Sequence, residues 1–194
     1  MMKGLYILYV LMLLSFFSAP SAHAQRLAVK SNLLADALVS PNIGAEILLS
    51  PQWTLDFSAH YQPFALKDNR RMKHWLLQPE ARHWLCTPFA GHFLGAHLMA
   101  GRFNVGGVHL PFGVLPGARH SRYEGWLTGA GVSYGYHWVI SPHWGIEASL
   151  GVGGAFLRSA RYRCEHCGSK ERPTKSRGYF GPTKAAVSVV YMIK

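Results

Sequence analysis

The chain has 194 residues and a formal net charge of +11, with 13% aromatic and only 15% charged residues. That length suits one domain, and so few charges are unusual for a soluble one. After the N-terminal leader no run of about 18 apolar residues remains, which excludes a membrane-spanning helix.

Residues 1–24 read as a cleaved signal peptide. Lys3 is the positive region, Leu5 to Phe17 is almost wholly apolar, and Ala22-His23-Ala24 is a small-x-small cleavage site. The expected mature domain is 25–194. The cleavage point has no Cys, which argues against a lipoprotein anchor. An exported, aromatic, glycine-rich and charge-poor chain without a spanning helix points to an outer-membrane β-barrel.

In chain order, strands are expected at 27–35, 42–49, 53–63, 74–86, 92–105, 123–140, 143–158 and 181–193. The stretch EGWLTGAGVSYGYHW, residues 124 to 138, shows the pattern best. One parity holds Trp126, Thr128, Ala130, Val132, Tyr134, Tyr136 and Trp138. The other holds Gly125, Leu127, Gly129, Gly131, Ser133, Gly135 and His137. So many glycines exclude a helix, and alternation over about fifteen residues suits a lipid-crossing strand with aromatic ends. From Trp144 the next strand repeats it, with Ile146, Ala148, Leu150, Val152 and Phe156 on the outward parity.

Tight proline turns join neighbouring strands at Ser50-Pro51-Gln52, Thr87-Pro88-Phe89 and Ser141-Pro142-His143. Proline cannot donate to a ladder, so it belongs in the turn. The turns fall at one end, and the longer links 64–73, 106–122 and 159–180 fall at the other. The expected fold is therefore all-β: a single eight-stranded antiparallel up-and-down transmembrane β-barrel with short periplasmic turns and longer extracellular loops.

Charges sort by the same parity. Lys30, Glu46, Asp56, Glu80, Arg82, Glu147 and Lys184 share the inward face, where unlike charges can pair. An eight-stranded barrel is just wide enough for its own side chains, so these residues are expected to plug the interior. Trp53, Trp84, Trp126, Trp138 and Trp144 are expected as interfacial anchors. Outside the leader, the whole positive excess falls in the segments 64–73, 106–122 and 158–180, and the basic residues expected in the outer loops are Lys67, Arg70, Arg71, Arg119, Arg122, Arg161, Arg163, Lys170, Arg172, Lys175 and Arg177. Such a rim suits the phosphates of lipopolysaccharide, acidic glycans or a surface partner, or is simply a solvated surface.

Cys164 and Cys167, with His166 between them, lie in the last link. An oxidising compartment favours a local disulfide; a metal site or free thiols are the alternatives. Cys86, at the opposite end of its strand, is expected as a lone thiol.

The segments KHWLLQPEARHW (73–84), RYEGWLTGAGVSYGYHW (122–138), YRCEHCG (162–168) and YFGPTKAAVSVVY (179–191) resemble an uncharacterised family from Bacteroidota. The resemblance runs from Ala28 to Ile193. It implies a small outer-membrane barrel carrying a domain of unknown function, similar to the transmembrane part of OmpA-type proteins. It supplies no catalytic residues and no cofactor, and it brings in an accessory role at surface fimbriae as one alternative.

The expected role is non-enzymatic: a structural or binding protein in the outer membrane of a Gram-negative bacterium. Its partners would be membrane lipid, lipopolysaccharide and, during biogenesis, the barrel assembly machinery. It is expected as a monomer that does not bind nucleic acid. An outer-membrane enzyme acting on lipid A or phospholipid is the alternative, because Asp56, Ser58 and His60 share one strand face. Alternate residues stand about 6.8 Å apart along a strand, too far for direct hydrogen bonding. A pore and a soluble lipocalin-like barrel, with its apolar face turned inward, are the other readings.

Overall fold

Period-two alternation dictates strands wherever the two faces meet different surroundings. A computed structural model of the chain, which describes residues 27–64, 71–108, 118–119, 121–162 and 170–193, has eight of them. They are β1 (Leu27–Asn32), β2 (Asn42–Ser50), β3 (Trp53–Gln62), β4 (Arg71–Trp84), β5 (Gly91–Gly106), β6 (Arg122–Val139), β7 (Trp144–Tyr162) and β8 (Lys170–Ile193). Each pairs antiparallel with its sequence neighbours, and β1 also pairs with β8, Leu27 opposite Ile193, so the sheet closes into a ring. The closing pairing runs from Leu27–Ile193 to Asn32–Ser188, and β8 before Ser188 pairs with β7 alone. The turns 51–52, 85–90 and 140–143 lie at the end of the ring that carries Leu27 and Ile193.

Two expectations about strand ends need correction. The first strand stops at Asn32, three residues early, and Leu33–Ala37 form a short helix, α1. Asn32 caps it: its side-chain oxygen accepts from the Leu34 amide at 3.1 Å, and its amide group donates to the Ala185 carbonyl of β8. Asparagine is a preferred cap, and Leu and Ala are strong helix formers. Asp36 accepts from Ser31 and Asn42, which fastens α1 over the strand ends. An alanine at Asn32 is expected to cost about 1 kcal/mol, read as a lower urea midpoint for the folded ring.

The second correction concerns the last link. The strands β7 and β8 run past the expected boundaries, and Tyr162 pairs with Lys170. Hence Arg161, Lys170, Arg172, Lys175 and Arg177 stand on paired strands and not in a loop. Arg71 likewise belongs to β4 and Arg122 to β6. Backbone pairing between the two long strands supplies what a loop would lack. Arg119 lies in an exposed turn. The leader, Lys67, Arg70, Arg163, Cys164 and Cys167 fall outside the described residues.

The outer face of the ring is apolar. Leu98, Val132, Leu150 and Phe156 are all well exposed there. Trp126 and Trp138 bound this band on β6, twelve residues apart. At about 3.3 Å per residue they are roughly 40 Å apart along the strand. A strand tilt of about 35–45° reduces that to roughly 28–33 Å along the ring axis.

Candidate functional site

All seven charged residues of the inward parity meet inside the ring. Glu46, Asp56 and Glu80 face one another directly on β2, β3 and β4. Three carboxylates at one level repel, so the arrangement depends on the cations between them. Arg82, 1% exposed, donates to all four acids. Its Nε reaches Glu80 at 2.7 Å, its Nη1 reaches Glu46 and Glu147 at 2.8 Å each, and its Nη2 reaches Asp56 at 3.1 Å. Lys30 donates to Glu46 and stands 3.2 Å from both Asp56 and Glu147. Lys184 donates to Glu80 at 2.7 Å. The lattice ties together β1, β2, β3, β4, β7 and β8.

The neighbouring strand β5 contributes His97, whose Nε2 is 2.9 Å from the Thr183 hydroxyl and whose Nδ1 is 3.7 Å from Glu80. The arginine plane also lies over the Phe93 ring, 4.4 Å from its centre. These groups are fully desolvated, and each ion taken from water costs several kcal/mol before pairing. Such a lattice is held by its geometry, because the remaining partners cannot replace a missing member.

Below the lattice, at the end with the short turns, an apolar cap fills the ring. Trp84 packs against Phe89 and Phe93, with ring centres 6.0 and 4.9 Å apart, and Ala28, Val190 and Met192 complete the layer. Here one expected anchor is corrected: Trp84 is 0% exposed and points into the ring. It shares the parity of Glu80 and Arg82, and its indole donates to Thr54, which in turn donates to Glu46. The other four anchors, Trp53, Trp126, Trp138 and Trp144, are exposed on the outer face. Above the lattice, on the β5–β7 side, Met99, Phe103, Val105, Ala155 and Leu157 form a second apolar cluster.

Between the lattice and α1 lies a cavity of about 440 Å³, lined by Lys30, Asp56, Arg82 and Lys184 and by Leu34 and Leu38. The residues Ser58 and His60 line it, and the Ser58 hydroxyl donates to the Gln78 carbonyl at 3.3 Å. Replacing Leu34 and Leu38 by alanine removes apolar side chains from the cavity lining. It is expected to quicken amide exchange in α1 while leaving the ring's urea midpoint within about 1–2 kcal/mol, because both side chains are half exposed already.

Parity alone places Trp84 and His97 inside the ring, whereas Thr183 sits at a register shift in β8 that the period does not show. Cys86 is exposed and free in the turn after β4. Among the described residues no group of His, Cys, Asp and Glu is placed to hold a metal ion.

The chain is thus a closed all-β ring with a charged interior. Residues 7–193 match the model of "Protein of unknown function (DUF3575)", and the chain belongs to that family. Neither a curated protein nor a solved structure matches the chain.

Proposed function

We propose that this chain is an outer-membrane β-barrel with a plugged interior, exported by a cleaved leader, that serves the Gram-negative cell envelope in a structural or binding role without catalysis. The observation that carries this reading is the polarity of the ring. The seven charged side chains of the lattice are buried inside, and the outer face between Trp126 and Trp138 is apolar. A protein surrounded by water gains nothing from that arrangement, whereas lipid requires it. The belt height of roughly 28–33 Å obtained above is close to the ~25 Å band of known barrels. In this reading the tight turns face the periplasm, and α1 and the long strand ends face outward.

The deciding experiment is electrophoresis of outer-membrane fractions with and without boiling. A closed ring resists SDS until heated, so the expected result is a band in the outer-membrane fraction that shifts on boiling. A protein released into the soluble periplasm with no shift would overturn the reading.

The same reading predicts electrical silence. The lattice bridges strands across the lumen, and Trp84, Phe89 and Phe93 pack below it. In planar bilayers the protein is expected to give no discrete conductance steps, and uniform steps would show an open path through the ring.

A further inference from the structure

Two arginines face outward from the ring where the apolar band ends. The register sets Arg102 of β5 opposite Trp126 of β6, and Trp126 opposite Arg158 of β7. All three are exposed on the outer face. On the next strand Trp75 stands opposite Arg102, so tryptophan and arginine alternate along one cross-strand row. One step toward the belt, the same face carries Ala100, Thr128 and Phe156.

Neighbouring strands are about 4.8 Å apart, which places the two arginine backbones roughly 10 Å apart on either side of the indole. A shallow groove of about 830 Å³ lies there, lined by Arg102, Trp126, Arg158 and Tyr162. It also contains one acid, Glu124, which accepts from Arg122 at 3.4 Å. Among the described residues, Arg102 and Arg158 have no ion-pair or hydrogen-bond partner.

We infer that the Arg102–Trp126–Arg158 row is a lateral binding site for the phosphoryl headgroup of a membrane lipid lying beside the ring. The inference rests on the outer-membrane reading and specifies the contact: strand-borne arginines at the belt's edge hold the lipid, where loops had been expected to. Three features argue for it. The guanidinium is a fork matched to phosphate oxygens. Both forks are unengaged, although a carboxylate stands in the same groove. The apolar residues one step below give the acyl chains of the same lipid a surface to lie on, with the arginines at headgroup height.

The test uses the full-length protein extracted in detergent and native mass spectrometry with three probes: bisphosphorylated lipid A, the same lipid dephosphorylated, and inorganic phosphate. The expected result is a lipid adduct with the bisphosphorylated form at least ten times more abundant than with the dephosphorylated form. Inorganic phosphate at equal concentration should not displace it. In the Arg102→Gln/Arg158→Gln variant the adduct should fall by the same factor.

Equal adducts with both lipids would overturn the site, as would an adduct undiminished in the variant. Displacement by inorganic phosphate would also overturn it, by showing a free-anion site. The boiled and unboiled gel is run on the same samples. A retained heat shift with no lipid preference defeats this inference and leaves the barrel reading intact, whereas a lost shift in the wild-type protein defeats the barrel reading. If the variant does not fold, the comparison of the two lipids on the wild-type protein decides.

Discussion

Replacing Arg82 by methionine is expected to destabilise the ring by about 3–5 kcal/mol, the range for removing one partner from a buried ion pair. The geometry argues for the upper end. A single guanidinium donates to Glu46, Asp56, Glu80 and Glu147, and three of those acids stand directly opposite one another on adjacent strands. With Arg82 gone, Lys30 and Lys184 are left against four carboxylates, and methionine offers none of them a donor. The measurement is the urea concentration at which the heat-shifted band disappears in detergent.

An Arg82→Lys change keeps the charge but loses the fork, so it should fall between the wild type and methionine. Removing one acid as well, as in Arg82→Met/Glu80→Gln, should recover part of the loss, because the two residues share a network and their effects are not additive. An Arg82→Met protein with the wild-type midpoint would mean that the lattice is hydrated and contributes little.

How much of this was legible depends on which residues are asked about. Strand parity was readable because a strand has two faces, and here each face has one kind of neighbour. Glu46, Asp56, Glu80 and Arg82 all fell on the inner face by counting alone. Trp84 could have been placed the same way, since it follows Arg82 by two. A tryptophan at a strand end suits an interface by its type, but at this position the period decides and the side chain points inward.

The helix α1 was missed as well. Leu33-Leu34-Ala35 fall inside the expected first strand, although Asn32 just before them is a ready N-cap. The long pairing of β7 with β8 was hidden by Gly168, Pro173 and the surrounding basic residues, which in isolation signal a loop. The partner strand overrides that local preference by pairing the backbone. Contacts across the ring were beyond reach altogether. Lys30 meets Glu147 over a separation of 117 residues, and only closure of β8 onto β1 brings them together.

The sharpest separation between a ring in lipid and a ring in water comes from one residue on the outer face. Leu150 is 72% exposed, opposite Tyr134 and far from either end of β7. If lipid surrounds the ring, Leu150→Arg places a charge near the middle of the hydrocarbon, at a cost of about 2–4 kcal/mol. If water surrounds it, the same change lies within about 0.5 kcal/mol of neutral, as surface substitutions generally do. Thr128→Arg is the internal control. That residue is also exposed, but it sits one outward step from Trp126, near the interface, where the cost falls to about 0–1 kcal/mol. Both variants are refolded into lipid vesicles and titrated with urea, with the heat-shifted band as readout. The lipid reading predicts that Leu150→Arg loses clearly more than Thr128→Arg. Two equal and small losses would place the apolar face in water, and the ring would then need a partner to cover it.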